Sequence, residues 1–326
     1  MKYLIGAVFV TLSHVATASA QTAQGDYPNK AIRFVVPFAA GGPVDVLARH
    51  VGKALSERLK QPVVVENKPG AGGTLGAGQV AKAPADGYTL LLAQSDTFVH
   101  AAGLFKSLPY DPQRDLKPVA QLVGSYTVMA VRPEILGDSL SAVLANSKNQ
   151  RKPLNFGSWG PGTYPHLAAM TLARQSGAEL THIPYRGGAP SFQDFIGGQI
   201  NIAFAGPAFA RNLARTAQAK LVAIAGTSRS SLLPEVPTFA ELGYTDPVFL
   251  LPVWAGVAAP ANTPARIVKV LEDGLEMAMK SPDVVEYLSE TGTVPMFARS
   301  VVLKAEMDRQ IPLVLGLMRE AGVEPE

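Results

Sequence analysis

Short apolar runs alternate along the chain with longer amphipathic segments. After the first run, Val44, Leu47, Val51, Leu55 and Leu59 recur at the 3.6-residue spacing of a helix packed on a sheet. Alternation of such helices with short β-prone runs predicts an α/β fold. The predicted strands are Ile32–Pro37, Val63–Glu66, Tyr88–Ala93, Tyr126–Arg132, Leu154–Gly157, Leu180–Pro184, Ile200–Phe204 and Leu221–Gly226.

The two halves of the chain repeat one order of elements. A strand leads into a Gly-rich loop and a helix at Ile32–Pro37 and again at Leu154–Gly157, although two α/β halves can also resemble each other by chance. Tyr126–Pro133 and Pro252–Pro260 are extended, apolar and flanked by proline, which predicts two hinge-crossing strands between the halves. Only helices and short connections are expected after the second crossing. The predicted division is 21–125 plus 254–326 for lobe 1 and 126–253 for lobe 2.

The first twenty residues have the pattern of a secretory signal peptide. Lys2 precedes an apolar run over Leu4–Leu12, and Ala18-Ser19-Ala20 provides a small-x-small cleavage site after Ala20. A membrane anchor is the alternative, but the run is too short to span a bilayer. Residues 1–20 are therefore predicted to be removed, and the periplasm is the expected location.

The composition of the chain excludes several classes of function and of site. The formal charge of +3 is too small and too dispersed for nucleic-acid binding. The absence of cysteine excludes disulfides, thiolate metal sites and a lipidated cysteine, so the exported protein is expected to be free and monomeric. Neither a metal nor a cofactor is predicted, because the chain lacks H-E-x-x-H and EF-hand motifs and Gly70–Gly78 lacks the ending of a P-loop.

The first candidate site is the loop that follows the first predicted strand. Gly41 and Gly42 allow backbone N–H groups to approach a ligand, and the N-terminus of the helix that begins at Pro43 attracts negative charge. A tight turn without a ligand is the alternative. Asp45, in the first helical turn, is interpreted as structural, because its carboxylate suits the helix dipole.

The second candidate site is the loop Gly157–Thr163 with Tyr164 and His166 after it. Ser158 and Thr163 offer hydroxyl groups, although Thr163 can equally be an N-cap and His166 can simply pack near the helix start. The stretch nearly matches G-x-S-x-G, but Phe156 replaces the first glycine. An exported hydrolase that uses Ser158 and His166 is the alternative from another class. The prediction is that the protein is not an enzyme.

Several short motifs, in a fixed order over the mature chain, make the sequence resemble the Bug family of extracytoplasmic solute receptors, the substrate-binding proteins of tripartite tricarboxylate transporters. These motifs are Tyr27-Pro28, Val35-Val36-Pro37-Phe38 with Gly41-Gly42, Asn67-Lys68-Pro69-Gly70-Ala71-Gly72-Gly73, Asp86-Gly87-Tyr88-Thr89-Leu90-Leu91, Leu108-Pro109-Tyr110-Asp111-Pro112, Pro184-Tyr185-Arg186-Gly187, Leu233-Pro234-Glu235-Val236-Pro237-Thr238 and Trp254-Ala255-Gly256-Val257-Ala258-Ala259-Pro260.

The resemblance implies a two-lobed, Venus-flytrap fold similar to type II periplasmic binding proteins. It also implies capture of a small organic carboxylate, a dicarboxylate or an aromatic carboxylate, for integral membrane transporter subunits. A receptor for a signalling system is the alternative within this class. The ligand-binding residues that the resemblance and the loops together predict are Phe38, Ala39, Ala40, Gly41, Gly42, Ser95, Ser158, Trp159, Gly162, Thr163, Tyr164, His166, Tyr185 and Ala205.

One departure from the family pattern bears on the ligand. Ala205-Gly206 stands where many relatives carry Asp-Asn, and that aspartate pairs with the ammonium group in amino-acid-binding members. Without it the sequence shows no anion for a cationic ligand group, and an unpaired buried ammonium is costly. An amino acid is therefore disfavoured as the ligand.

Overall fold

A computed structural model describes residues 27–148 and 153–325, so the predicted signal peptide lies outside the described residues. The strands are β1 Ile32–Val36, β2 Val63–Asn67, β3 Thr89–Gln94, β4 Leu116–Ser125, β5 Val128–Val131, β6 Leu154–Ser158, β7 Leu180–Pro184, β8 Ile202–Ala205, β9 Lys220–Ile224, β10 Val253–Pro260 and β11 Val294–Arg299. The helices are α1 Pro43–Leu59, α2 Thr74–Ala81, α3 Ala101–Leu104, α4 Leu140–Ser147, α5 Tyr164–Ser176, α6 Gly188–Ile196, α7 Pro207–Arg215, α8 Ala265–Ala278, α9 Pro282–Thr291 and α10 Ser300–Glu320.

The strands form two mixed sheets, which confirms the predicted α/β class. Sheet 1 has the order β11-β4-β10-β3-β1-β2, and sheet 2 has the order β7-β6-β8-β5-β9. The alternation of elements gives parallel pairs: β1 pairs with β2 and β3, and β6 pairs with β7 and β8. Within the described residues no helix is both long enough and apolar enough to cross a membrane.

Two strands differ from the sequence-based prediction. β4 was not among the predicted strands, and the region after Pro260 was expected to hold only helices and short connections, but it contains β11. Pro118 and Pro295 argue against strands, since proline cannot donate to a ladder. β11 is the edge strand of sheet 1, and it pairs only with residues 120–124 of β4, so Pro118 lies beyond that pairing. On its other side Pro118 pairs with Ala258 of β10, next to a register shift in that ladder. An edge strand and an irregular ladder are the places where strands tolerate proline.

The chain changes sheets close to the two predicted crossings. It leaves β4 at Ser125 and enters β5 at Val128, and it returns after a 3-10 turn at Pro247–Leu250 into β10. The second predicted crossing strand, β10, belongs wholly to sheet 1, where it pairs with β3 and β4. The exact lobe boundaries, 21–125 plus 254–326 and 126–253, stay a prediction.

The fold brings several loops to the carboxyl ends of parallel strands, where ligands of open α/β sheets bind. Phe38 follows β1, and Ser95 follows the neighbouring β3. In sheet 2, the loop after β6 precedes α5. Helix α10 packs against β4 of sheet 1 and also against α5, so it lies beside both groups of loops.

Candidate ligand-binding site

The loop Phe38–Gly42 is held by the carboxylate of Asp45. Gly41 N–H donates to Asp45 Oδ2 over 2.8 Å, and Asn67 Nδ2 donates to Oδ1 over 2.9 Å. Arg49 closes the network from the other side, with Nη2 2.9 Å from Oδ1. Burial alone raises the pKa of Asp45, but the hydrogen bonds from Arg49, Gly41 and Asn67 outweigh it and lower the pKa. The structural interpretation of Asp45 agrees with these contacts.

The same network determines what this loop can offer a ligand. The Gly41 amide is already bonded to Asp45, while the side chains of Ala39 and Ala40 are exposed and Phe38 is half-buried against the core. Gly41 has a φ of +79°, which glycine adopts without strain. The remaining anion-attracting element is the start of α1, where Pro43 occupies the first helical position after an extended Gly42.

The turn after β3 contains an acidic residue that the sequence analysis did not select. Asp96 follows Ser95 and opens a π-helical turn, Asp96–His100, that leads into α3. Its Oδ1 atom is buried, lies 3.3 Å from His100 Nδ1, and makes no hydrogen bond within residues 27–148 and 153–325. Burial raises the pKa of Asp96, and the neighbouring His100 opposes the shift. Asp96 is thus a buried acid that the sequence analysis did not consider, and the expectation that the site lacks an anion stays a prediction.

The loop after β6 is buried and tied by two histidines. Ser158 Oγ donates to the Gly160 carbonyl over 2.9 Å and lies 2.6 Å from His182 Nε2. Gly162 N–H donates to His166 Nδ1 over 3.0 Å. The two imidazole rings stack with centroids 3.8 Å apart. Burial lowers the pKa of each histidine to about 4, and the charge of His182 adds to the effect on His166.

These contacts bear on the hydrolase alternative. Ser158 pairs with His182, not with His166 as that alternative supposed, and it is fully buried. The Ser158 hydroxyl also bonds to the Gly160 carbonyl, which can only accept, so it is engaged within its own loop. Across the described residues, no carboxylate bonds to His166 or His182 to orient them. The arrangement holds a loop in place and does not assemble a nucleophile.

The loop after β6 contacts sheet 1 through the turn after β3. The Gly162 carbonyl lies 2.8 Å from His100 Nδ1, so it accepts the Nδ1–H of that ring. A Cβ atom on Gly162 would lie 2.6 Å from Leu104 and 2.8 Å from Met318, which belong to α3 and α10. No hydrogen bond of the described residues joins this loop to Phe38–Gly42. The second predicted loop therefore faces the β3 turn.

A narrow cavity lies between the two sheets at this contact. It measures about 10 Å³, enough for roughly one water molecule. Ser95 and Tyr164, both predicted site residues, line it together with Asp96. The buried Tyr164 hydroxyl makes no hydrogen bond within the described residues, and burial raises its pKa. The full lining is Ser95, Asp96, His100, Tyr164, Leu167, Val248, Leu251, Pro252, Val253 and Gln310.

A second cavity adjoins the first through Val253, which lines both. It measures about 80 Å³ and opens beside the start of α1, where it meets Pro43 and Val44. Its lining carries no formally charged side chain: the remaining residues are Leu47, Gln94, Val123, Ser125, Trp254, Ala255, Tyr287 and Thr293. The two cavities thus differ in charge, since only the first has a carboxylate.

The other predicted residues are engaged within sheet 2 and its loops. The Thr163 hydroxyl donates to the Gly160 carbonyl over 2.7 Å instead of capping α5. The Trp159 carbonyl accepts from Gly187 N–H, and Tyr185 Oη donates to Asp194 over 2.7 Å. Ala205 is fully buried in a core cluster of sheet 2. The role of these residues in ligand binding stays a prediction.

Comparison with known proteins supplies the family. A family model described as the tripartite tricarboxylate transporter family receptor matches residues 47–306. Protein BugT of Bordetella pertussis (strain Tohama I) is 34% identical over 323 residues, which cover 98% of this chain and 97% of BugT. These matches confirm the resemblance to Bug proteins that the sequence motifs indicated.

Solved structures agree with this match. The periplasmic binding protein BugD is 31% identical to this chain, with a TM-score of 0.81. The match covers 92% of this chain and 100% of the BugD chain. MatC from Rhodopseudomonas palustris, solved with bound malate, is 30% identical with a TM-score of 0.78, over 90% and 100% of the two chains. The likeness confirms the predicted two-lobed fold of a periplasmic binding protein. The chain belongs to the tripartite tricarboxylate transporter receptor family, whose members are solute-binding receptors and not enzymes.

Proposed function

We propose that the protein is exported to the periplasm, captures a small organic carboxylate between its lobes, and presents it to the integral membrane subunits of a tripartite tricarboxylate-type transporter. The observation that carries the proposal is a pair of cavities that share Val253. The smaller lies between the sheets, at the turn after β3 and the start of α5, and the larger is lined by sheet 1 and its helices beside the start of α1. MatC, a relative with the same fold, was solved with malate. Signal cleavage after Ala20 and a free monomer belong to the same proposal.

The larger cavity is where we place the ligand carboxylate. It adjoins the start of α1, whose first N–H groups carry partial positive charge and attract anions. Ser125 and Gln94 add side-chain donors, and Trp254 and Tyr287 supply apolar and aromatic surface. Such a mixture of a few polar groups in an apolar lining is typical of small-molecule sites. Dicarboxylates and aromatic carboxylates both fit this chemistry.

A stability screen tests the proposal. The mature chain, unfolded and refolded to remove any carried ligand, is heated with a panel of dicarboxylates and aromatic carboxylates and with their neutral amides. A true ligand at about 100 times its dissociation constant stabilises the fold by about 2.7 kcal/mol. We expect at least one acid, and not its amide, to raise the melting temperature. A panel without effect, together with turnover of a simple ester, would refute the receptor function.

A substitution in the first loop tests its place in the site. Gly42 has an extended backbone with φ of −76°, so Gly42→Val keeps an allowed conformation and is expected to fold. The added methyl groups crowd the start of α1 and are expected to weaken carboxylate binding at least tenfold, measured by calorimetry. Ala31→Val, at an exposed position before β1, is the matched control. Unchanged affinity of Gly42→Val would remove this loop from the site.

A further inference from the structure

Asp96 is a buried acid with an unused hydrogen-bond acceptor inside the cavity between the sheets. Its side chain is 14% exposed, and its Oδ1 atom makes no hydrogen bond with any described residue. Ionised carboxylates in proteins are normally paired or hydrogen-bonded when buried, because removing the charge from water is costly. An unbonded oxygen on a residue that lines a cavity therefore points to a partner that enters the cavity.

The polar neighbours of Asp96 form hydrogen bonds with other groups. His100 Nδ1–H is directed to the Gly162 carbonyl at 2.8 Å, and the Asp96 oxygen is farther from it, at 3.3 Å. The Gln310 amide is used at both ends, because it accepts from Trp254 Nε1 and donates to Glu306. Among the described residues that line this cavity, the Tyr164 hydroxyl is the other side-chain group that is buried without a hydrogen bond.

The size and charge of the cavity restrict what the partner can be. The space holds one group about as large as a water molecule, which is also the size of an ammonium group. Neither lysine nor arginine lines the cavity, so a ligand carboxylate placed there would face the Asp96 carboxylate without compensation. A compact hydrogen-bond donor with positive charge satisfies Asp96 and can donate a second bond to Tyr164.

We propose that Asp96 receives the protonated amino group of the ligand, so that the captured solute is an aminocarboxylate whose nitrogen occupies the cavity between Asp96 and Tyr164. This inference rests on the proposed function, because the adjoining cavity at the start of α1 is where the ligand carboxylate binds. Val253 lines both cavities, so the two ends of a short zwitterion would lie on either side of this residue. Asp96 thus supplies the anion that Ala205 does not.

The energetics of the site agree with this assignment. Burial raises the pKa of Asp96, which means that the ionised form is disfavoured while it lacks a cation. A bound ammonium group offsets the free-energy cost of burying the carboxylate, because it forms a charge-assisted hydrogen bond with it. Removing the carboxylate should therefore weaken binding of the amine without harming the fold.

The experiment compares matched ligands on the refolded mature chain by calorimetry: aspartate with succinate, glutamate with glutarate, and phenylalanine with 3-phenylpropionate. The proteins are the wild type, Asp96→Asn, and the control Asp138→Asn, whose side chain is 96% exposed. We expect one amino acid to bind more tightly than its partner without nitrogen. Asp96→Asn should weaken that amino acid roughly ten- to hundredfold and leave the partner compound within about threefold.

Each other outcome overturns the inference, and the outcomes separate it from the proposed function. If the compounds without nitrogen bind best and Asp96→Asn leaves the ratio unchanged, carboxylate capture stands and the role of Asp96 is refuted; a water molecule then satisfies its oxygen. If neither set binds, both proposals fail. Folding is checked independently, because Asp96→Asn is nearly isosteric and should keep or raise the melting temperature of the free protein.

Discussion

The Gly-rich loops after β1 and β6 look alike in sequence, yet different chemistry holds them. Phe38–Gly42 is tied to the ionised carboxylate of Asp45, and its alanines remain exposed. Ser158–His166 is largely buried, tied to two stacked imidazoles, and pressed against α3 and α10. The first loop is thus held by an ionised carboxylate, and the second by imidazoles that remain uncharged. The two loops are therefore expected to differ in their tolerance of crowding and of acid.

The largest difference is expected for alanine at the positive-φ glycines of the two loops. Gly162→Ala adds backbone strain at φ +67° and brings Cβ to 2.6 Å from Leu104, for a cost of about 3 kcal/mol. Gly41→Ala has comparable strain but nothing within 4 Å, for a cost of about 1 kcal/mol. Urea unfolding of both variants measures the difference. Equal costs would show that the second loop is not pressed against its neighbours.

Removal of the Asp45 carboxylate is expected to have the next largest effect. Asp45→Ala leaves the Gly41 amide and the Asn67 side chain without their acceptor, for a loss of about 2 kcal/mol in unfolding free energy. Asp308→Ala, which removes an exposed pair with Lys304, is the control and should change stability by less than about 0.5 kcal/mol. If the two variants lose the same amount, the Asp45 network does not anchor the first loop.

The smallest effect is expected from mild acid, and it should come from the second loop. The pKa of His166 and of His182 falls to about 4 in the fold from an ordinary 6.5, so the unfolded chain takes up protons first. Stability is full above pH 6.5 and falls as the pH drops towards 4. At about pH 5.5, and after allowance for the partial exposure of His182, the loss in unfolding free energy is about 1–2 kcal/mol.

The double variant His166→Gln with His182→Gln provides the control for this pH dependence. Glutamine keeps an acceptor for the Gly162 amide but cannot take up a proton in this range. Unfolding free energies measured between pH 7 and 4 should therefore fall less steeply in the double variant. A slope equal to that of the wild type would assign the acid sensitivity to other groups.

The sequence predicts the elements that have strong local signals. The periodic apolar face of α1 and the β-prone run of β1 are sufficient to place the first loop, and the order of motifs identifies the family. The sequence does not predict β4 and β11, because Pro118 and Pro295 imply broken strands. In the structure Pro295 lies on the edge strand of sheet 1, and Pro118 lies beside a register shift in the pairing of β4 with β10. Edge position is a property of the assembled sheet and has no signal within one strand.

The site is harder to predict than the fold, since its contacts join distant positions. Ser158 and His182 meet because β6 and β7 run in parallel, with Phe156 opposite His182, and spacing along the chain does not reveal that register. Asp96 has the appearance of an ordinary acid at a helix start. Its position directly after Ser95, at the end of a predicted strand beside the first loop, is the signal that could have selected it.

The positions of the two tryptophans allow events in the cleft to be followed by intrinsic fluorescence. Trp254 is buried, stacks on Phe98 two residues beyond Asp96, and lines the larger cavity, whereas Trp159 is half-buried on the loop of the opposite sheet. The chain contains no other tryptophan. Trp159→Phe therefore leaves a single emitter at the floor of the cleft. Ligand entry and lobe movement can then be followed by intrinsic fluorescence in real time, without an attached label.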